Sequence, residues 1–323
     1  MKTILLSNHY EGKPLQILED AVGGDFILKV LKSVSQTELL ESICEADYLI
    51  ASGRLKIDST VIERADNLRM IQRTGVGVDH IDLQCLKDAG IPLYVNAGVN
   101  ANSVAEYTIM LMLSVLKRSY AVNCQMRNGI WKKQETALNT HELKGRIIGI
   151  VGMGNIGRRV AQMLSVFGVK IIYASRRRLT QEEEKALNAS HVELEELLEQ
   201  ADIVTLHCPY NAADGYLIAE NEIARMKDGA ILINTARGKL VKQNVVAHAL
   251  ATGKLAGVGI DVFEEEPLQG ISEYAAFESA VLSPHIAGLP FETFVNMMKM
   301  AVDNIRAFDR GDKESIASSL YMI

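Results

Sequence analysis

In the run RIIGIVGMGNIG, Gly152, Gly154 and Gly157 stand in GxGxxG spacing directly behind an apolar segment and at the opening of a helical one. In that setting the first glycine allows a tight turn and the second lets a pyrophosphate approach the backbone. The third lets helix and strand pack closely, with the phosphates over the positive helix N-terminus. Eighteen residues past Gly157, where NAD-binding units usually carry an acid for the adenosine ribose, stands Ser175, followed by Arg176, Arg177 and Arg178. Cationic forks with no carboxylate beside them suit a 2′-phosphate, so NADP is favoured over NAD. The plain alternative is a solvated loop whose arginines pair with Glu182 to Glu184. His207, Arg237, Asp261 and His285 fall at or just past the ends of later apolar runs, and open α/β sheets bind ligands at such carboxyl ends. Together they are groups for anion binding and proton transfer beside a dinucleotide.

Parallel strands are needed to bring those residues to one edge. Short β-type runs alternate with helical stretches along the chain, which predicts an α/β protein. In the first hundred residues, strands are expected near Ile4 to Leu6, Tyr48 to Ala51, Arg69 to Gln72 and Leu93 to Val95, with a helix over Ser59 to Ala65. Ser103 with Glu106 reads as a capping box that opens one long helix to about Arg127. Its segment VAEYTIMLMLSVL is apolar on nearly every face, so burial on more than one side is expected, and with it a homodimer through 103–127. From Lys144 six strands are expected, ending near Val151, Ala174, His207, Asn234, Asp261 and Ser283, with helices over Ile156 to Phe167 and Val241 to Ala251. A last helix is expected over Glu292 to Phe308. The predicted architecture is two doubly wound parallel-sheet domains. A Rossmann dinucleotide-binding domain, 99–283, is inserted into a flavodoxin-like substrate domain made of 1–98 and 284–323. The reaction is expected in the cleft between them, with closure excluding water.

The chain has 323 residues, 48% of them apolar and 23% charged, which is enough for two full cores. Its 34 Lys plus Arg against 40 Asp plus Glu, a net charge of −6, leave no basic footprint, so nucleic acid is not an expected partner. No apolar run approaches the ~20 residues of a bilayer span, and the opening MKTILLSNHY is too short in apolar residues for a secretory signal. A cytoplasmic protein without membrane contact is therefore expected. Cys44, Cys85, Cys124 and Cys208 form no CxxC pair and the seven histidines show no HxH or HxxxH spacing, so neither disulfides nor a metal are expected.

The ordered motifs RTGVGVDHID, NSVAEYTIMLML, GIVGMGNIG, INTARG, GVGIDVFEEEP and SPHIAG, from about Arg73 to His285, give a specific likeness. The chain resembles the D-2-hydroxyacid dehydrogenase family, which includes phosphoglycerate dehydrogenase and hydroxypyruvate/glyoxylate reductase. The resemblance implies hydride transfer between a nicotinamide cofactor and a small 2-keto acid, with Arg237, Glu266 and His285 as the catalytic residues. In that scheme Arg237 holds the substrate carboxylate and polarises the keto oxygen, while protonated His285 donates to that oxygen and Glu266, just before Pro267, orients the imidazole. The turn Gly75-Val76-Gly77 resembles the family's carboxylate cradle, which makes Val76 and Gly77 substrate-binding candidates. Cofactor contacts are expected at Gly152, Gly154, Asn155, Ile156 and Gly157, at Ser175, Arg176 and Arg177, and at His207, Pro209, Thr235, Ala236, Asp261 and Gly288. Asp261 resembles the family residue that holds the nicotinamide carboxamide.

Two features pull the expected substrate in different directions. Arg73 corresponds to an arginine that meets the substrate phosphate in some phosphoglycerate dehydrogenases. The Ser175-Arg176 pair resembles the NADP-using glyoxylate/hydroxypyruvate reductases, and the long C-terminal regulatory extension of many phosphoglycerate dehydrogenases is not expected. His80 stands where an Asn is common, and NAGVN lacks a frequent Pro. The alternatives are a dinucleotide-binding regulator of the corepressor kind, which need not keep Arg, Glu and His in register, and a formate or phosphite dehydrogenase. A formate enzyme is expected to carry Gln in place of Glu266.

Overall fold

The computed structural model describes residues 1–53 and 55–322. Among them thirteen strands, β1 to β13 in chain order, form two sheets in two compact units, Met1–Asn100 with Pro290–Ile323, and Ala101–Leu289. The units divide two and six residues beyond the boundaries expected at 98/99 and 283/284 (100 − 98 and 289 − 283). The second shift has a local cause: the Asp261 carboxylate accepts from the N–H groups of Ile286 and Ala287, so that turn stays with the sheet of the second unit.

In the first unit β1 (Thr3–Leu6), β2 (Ile27–Val30), β3 (Tyr48–Ala51), β4 (Met70–Arg73) and β5 (Leu93–Val95) run parallel, and β13 (Leu320–Met322) pairs antiparallel with β5. The order is β13-β5-β4-β3-β1-β2. Alternate residues go to opposite faces. Ile4, Leu6, Tyr48, Ile50 and Met70 meet Met298, Ala301, Val302 and Ile305 of the helix Phe291–Asp309. On the other side Leu5, Leu49, Ile71 and Leu93 meet Leu39, Ile43, Val61 and Leu86. Burial on both faces is why these strands read as continuous apolar runs. The half-exposed strands β2 and β13 carry no such run and escaped the sequence reading, so four expected strands become six.

The helix Phe291–Asp309 is fixed at its end by one carboxylate. Lys2 and the Tyr48 hydroxyl donate to Asp309 Oδ1, and Arg69 Nη1 donates to the same oxygen at 3.1 Å. The hydrogen bonds from Lys2 and Tyr48 hold the Asp309 carboxyl below its ordinary range. A carboxyl depressed in the folded state stabilises above its unfolded pKa of about 4, and the contribution is lost as pH falls through the folded value. Asp309→Asn should therefore lower the thermal midpoint near neutrality and flatten its fall below about pH 4. Parallel melting curves for the two proteins across that range would contradict the assignment.

In the second unit β6 (Ile147–Val151), β7 (Lys170–Ala174), β8 (Ala189–His191), β9 (Ile203–Leu206), β10 (Ala230–Asn234), β11 (Leu255–Ile260) and β12 (Ala280–Leu282) are all parallel, in the order β12-β11-β10-β9-β6-β7-β8. Seven strands replace the six expected; the extra one, β8, is three residues long and alternates no apolar pattern. Leu111, Met112, Val160 and Leu164 cover Ile148, Ile150, Ile231 and Ile233 on one face, and Leu197, Ile223, Val246 and Leu250 cover Val204, Leu206, Leu232 and Val258 on the other. Strand order reverses between β6 and β9, which opens a crevice at their carboxyl ends.

The single helix expected over 103–127 is two, Ala101–Leu116 and Ser119–Arg127, broken at Arg118, whose φ of 49° is left-handed. The first helix buries Val104, Ala105, Thr108, Leu111, Met112 and Val115, and the second only Ala121, so the chain turns where the apolar stripe ends. Nor is Ser103 the cap: the helix begins before it, at Ala101, and Glu106 accepts instead from Asn102 Nδ2 at 2.5 Å. No described helix is long and apolar enough to cross a membrane.

Candidate functional site

At the end of β6, Gly152 has φ 97°, and a Cβ there would stand 2.6 Å from the carbonyl carbon and oxygen of His207, at the end of β9. A side chain is excluded on both counts. A Cβ on Gly157 would stand 2.1 Å from the Gly152 carbonyl oxygen, so the helix Asn155–Leu164 packs directly on the turn. At Gly154 a Cβ would meet nothing within 4 Å, which leaves the mouth of the loop open. The N–H groups of Asn155, Ile156 and Gly157 belong to the first turn, where helical donors lack intrahelical acceptors. The cradle fits a pyrophosphate.

His207 gives a second test of fit. Its Nε2 is 2.9 Å from Thr205 Oγ1, while its Nδ1 is buried without a hydrogen-bond partner among the described residues. Burial pushes its pKa down to about 3, so the ring is neutral. A buried unpaired ring nitrogen is costly by itself, and a ligand at the crevice would relieve it. Beside it burial pushes the Cys208 thiol up to about 11, and Pro209 is exposed.

After β7 the arginine run divides. Arg178 pairs with Glu184, Nε to Oε1 at 2.9 Å and Nη2 to Oε2 at 3.2 Å, and Glu184 also accepts from the Tyr173 hydroxyl at 2.8 Å. Arg176 and Arg177 are exposed and make no ion pair among the described residues, and the charge of Arg176 acts on Cys208. The solvated-loop alternative thus describes Arg178 and not its two neighbours, which follow half-buried Ser175.

Neighbouring strand ends carry the remaining groups. Asp261, just past β11, is 1% exposed and organises the turn that bears His285. Its carbonyl accepts from the His285 N–H at 2.7 Å, its Oδ1 from Ser283 Oγ at 2.6 Å and Ile286 N–H at 3.0 Å, and its Oδ2 from Ala287 N–H at 2.9 Å. Burial raises the Asp261 carboxyl above its ordinary range although Ser283 and the two N–H groups pull it down. These bonds hold His285 at φ 57°, a left-handed conformation uncommon for a non-glycine residue. His285 Nδ1 lies 2.7 Å from Glu266 Oε2, and Glu266 Oε1 accepts from the Phe263 N–H at 2.8 Å. The Glu266 side chain is 14% exposed and that of His285 43%, so the carboxylate is sheltered while the imidazole reaches solvent. Glu264 does something else: it accepts from Gln243 N–H at 2.5 Å and from the Tyr216 hydroxyl at 2.9 Å.

Arg237 follows β10 in a turn built by Asn234, whose Oδ1 accepts from Ala236 N–H at 3.0 Å and whose Nδ2 donates to the Arg237 carbonyl at 2.9 Å. Arg237 Nη1 donates to the Ala236 carbonyl at 2.7 Å. A Cβ on Gly238 would stand 1.9 Å from the Phe263 carbonyl, so this turn lies against the segment leading to Glu266. Thr235 Oγ1 is 3.0 Å from Thr108 Oγ1; the Thr108 proton goes to Val104 O at 2.7 Å, so Thr235 donates to Thr108. Gly288 is half-buried at the end of the His285 turn. The sequence assigns no role in the site to Asn234, Gly238, Ser283 or Thr108, although all four lie in the INTARG, SPHIAG and NSVAEYTIMLML motifs.

In the first unit Arg73 makes two bonds to backbone: Nε donates to the Gly77 carbonyl and Nη1 to the Ala51 carbonyl, each at 2.8 Å. Val76 is 41% exposed, and the N–H groups of Gly75, Val76 and Gly77 have no protein acceptor among the described residues. A pocket beside this turn is lined by Ser7, Ser52, Gly53, Arg73 and His80 among others.

Residues 109–287 match the family described as D-isomer specific 2-hydroxyacid dehydrogenase, NAD binding domain. The chain is 38% identical to the glyoxylate reductase of Aeropyrum pernix over 278 residues, 84% of this chain and 83% of the relative. Among solved structures, a glyoxylate reductase from Paecilomyes thermophila aligns with TM-score 0.83 at 31% identity, covering 95% of this chain and 94% of that one. D-Lactate dehydrogenase from Aquifex aeolicus, complexed with NAD and lactic acid, aligns with TM-score 0.89 at 26% identity over 100% of this chain and 99% of that one.

Proposed function

The chain belongs to the D-isomer specific 2-hydroxyacid dehydrogenase family, and from that premise we propose that it reduces a small 2-keto acid of the glyoxylate or hydroxypyruvate class, with His285 as acid and base, Glu266 orienting it and Arg237 binding substrate. It is a nicotinamide-dependent 2-hydroxyacid dehydrogenase. The observation that carries the finer reading is the imidazole of His285, backed by a sheltered carboxylate at 2.7 Å and open on its other side.

The bound nicotinamide supplies the hydride. The residues that would hold the cofactor are Gly152 to Gly157 at the pyrophosphate, Ser175, Arg176 and Arg177 at the ribose, and His207, Pro209, Thr235, Ala236 and Gly288 beyond. Asp261 acts on the same region by fixing the turn. His285 gives its Nε2 proton to the keto oxygen as negative charge develops there, and Glu266 accepts from Nδ1 throughout. In the reverse direction the same nitrogen takes the hydroxyl proton. Arg237 draws the substrate carboxylate and keto oxygen by charge-assisted hydrogen bonds. In the first unit the N–H groups of Val76 and Gly77 take the carboxylate. Arg73 spends two of its five donors on carbonyls that hold the turn. Oxidation of NADPH and NADH should be measured with glyoxylate, hydroxypyruvate, phosphohydroxypyruvate and 2-ketogluconate. Highest kcat/KM with one of the first two is expected, and turnover of phosphohydroxypyruvate alone would refute the substrate class.

The freedom of Arg176 and Arg177 from ion pairs supports NADP as the preferred cofactor. Arg176→Asp should raise the Kd for NADPH about 10-fold or more and leave that for NADH within about 2-fold, as expected for loss of a charge-assisted contact. Equal changes for both would remove the phosphate role. Self-association into a homodimer is supported by Met110, Tyr120, Met126, Ile130, Trp131 and Leu138, which are 41 to 84% exposed within 110–138. Sedimentation should give twice the 35.5 kDa chain mass, falling toward one chain with Trp131→Glu. A wild-type monomer would overturn this reading.

A further inference from the structure

Three amides meet beneath the Gly75-Val76-Gly77 turn, in the buried interior of the first unit. Gln72 and Asn96 are 0% exposed and Asn304 is 5% exposed. Asn304 Nδ2 donates to Gln72 Oε1 at 3.0 Å, and Gln72 Nε2 donates to Asn96 Oδ1 at 3.0 Å and to the Arg73 carbonyl at 2.9 Å. Asn96 Nδ2 then donates to the Thr74 carbonyl at 3.1 Å and to the Met297 carbonyl at 2.8 Å. Both amide protons of Gln72 and of Asn96 are thereby used. The orientation of Asn96 is also fixed, because a flipped amide would turn its oxygen on two carbonyls.

The consequence reaches the turn through the planarity of the peptide unit. With the Thr74 carbonyl drawn inward by Asn96, the trans peptide points the Gly75 N–H the opposite way, out of the core. At the other end Arg73 Nε holds the Gly77 carbonyl, and Arg73 is anchored by its own carbonyl on Gln72 and by Nη1 on Ala51. The segment 74–77 is clamped at both ends, and the N–H groups between the clamps have no protein acceptor among the described residues. We infer that Gln72, Asn96 and Asn304 form a positioning relay that presets the 75–77 turn for a carboxylate and ties its geometry to the helix Phe291–Asp309. This rests on the reading of that turn as the substrate carboxylate site. A preset cradle binds its anion without first ordering the loop, so the relay acts on substrate affinity and leaves the proton-transfer groups unchanged.

The test uses the full-length protein with Asn304→Ala, at the far end of the relay, Asn96→Ser, next to the turn, and Val76→Pro, which deletes a cradle N–H directly. The readouts are KM and kcat for the preferred 2-keto acid, inhibition by oxalate as a carboxylate probe, NADH affinity by fluorescence, and the melting temperature. With the relay as inferred, Asn304→Ala raises KM and the oxalate Ki about 5- to 10-fold, with kcat and NADH affinity within about 2-fold, and Asn96→Ser does so more strongly. If either relay variant fails to fold, the other decides. A lowered melting temperature with KM and Ki unchanged, measured well below it, would show a purely structural network and overturn the relay. If Val76→Pro weakens oxalate and the relay variants do not, the relay alone falls; if Val76→Pro also leaves oxalate unchanged, the carboxylate reading falls and takes the relay with it.

Discussion

His285→Asn should lower kcat for keto-acid reduction by about 100-fold or more while leaving the fold and the NADH affinity intact. Asparagine is the informative replacement because His285 sits at φ 57°, a region that Asn occupies far more readily than Ala. His285→Ala would add backbone strain to the loss of the imidazole. The side chain is 43% exposed, and the three bonds that hold its turn are donated by backbone N–H groups to Asp261, so they survive the substitution. What is lost, on the proposed mechanism, is the proton donor at the keto oxygen. Glu266→Gln separates orientation from proton transfer: the amide still fills the space behind the ring but replaces the oxygen 2.7 Å from Nδ1 with a group that can donate. A smaller loss of kcat, about 10-fold, with KM little changed, is expected. Full turnover in His285→Asn would remove the imidazole from the chemistry, and a Glu266→Gln protein equal to wild type would remove its partner.

Whether a residue's role is legible in the sequence depends on whether its physical reason is local. Gly157 is legible because its constraint, the Gly152 carbonyl oxygen 2.1 Å from a Cβ, lies within the same turn, and Gly152 is legible through the turn it makes at φ 97°, although the His207 backbone that also excludes a side chain there is remote in sequence. Glu266 could be chosen from the acidic run by its place before Pro267, and the structure gives Glu264 different work on Gln243 and Tyr216. The arginine run was legible only in part. The Thr180-x-x-Glu183 capping box starts a helix and sets Glu184 in its first turn, within reach of Arg178, while Arg176 and Arg177 stay exposed with no ion pair among the described residues.

The same four-residue signature misled at Ser103-x-x-Glu106, where the helix already starts at Ala101 and Ser103 is itself a buried helical residue. Tertiary packing overrode a short local motif. The relay of Gln72, Asn96 and Asn304 had no local signature at all: its members are 24 and 232 residues apart, and nothing in the spacing tells a buried amide from a surface one. Asp261 was noticed for its place at a strand end, yet its three donors show that its carboxylate first shapes the His285 turn.

Arg237→Gln should reduce kcat/KM for the keto acid by about 100- to 1,000-fold, through both a higher KM and a lower kcat. The guanidinium adds one bond to the local backbone, Nη1 to the Ala236 carbonyl at 2.7 Å, but other groups also build this turn. Asn234 holds the Arg237 carbonyl at 2.9 Å and the Ala236 N–H at 3.0 Å, and Gly238 is seated against Phe263, so the turn keeps its shape when the side chain changes. The guanidinium is half-buried at a strand end where the sheet's ligands gather, and a planar cationic fork there can pair with a carboxylate and still polarise an adjacent carbonyl oxygen. Arg237→Lys keeps the charge but loses the fork, and should recover only about one tenth to one hundredth of wild-type kcat/KM. NADH affinity should change by less than about 2-fold in both variants if the residue serves the substrate. Gly238→Ala supplies the positional control: its Cβ would stand 1.9 Å from the Phe263 carbonyl, so it must displace the turn while leaving the guanidinium chemically intact. Loss of kcat/KM in Gly238→Ala comparable to that in Arg237→Lys is the expected result, because a misplaced fork is as poor as a missing one. An Arg237→Gln enzyme within about 5-fold of wild type would end the assignment of substrate binding to this arginine.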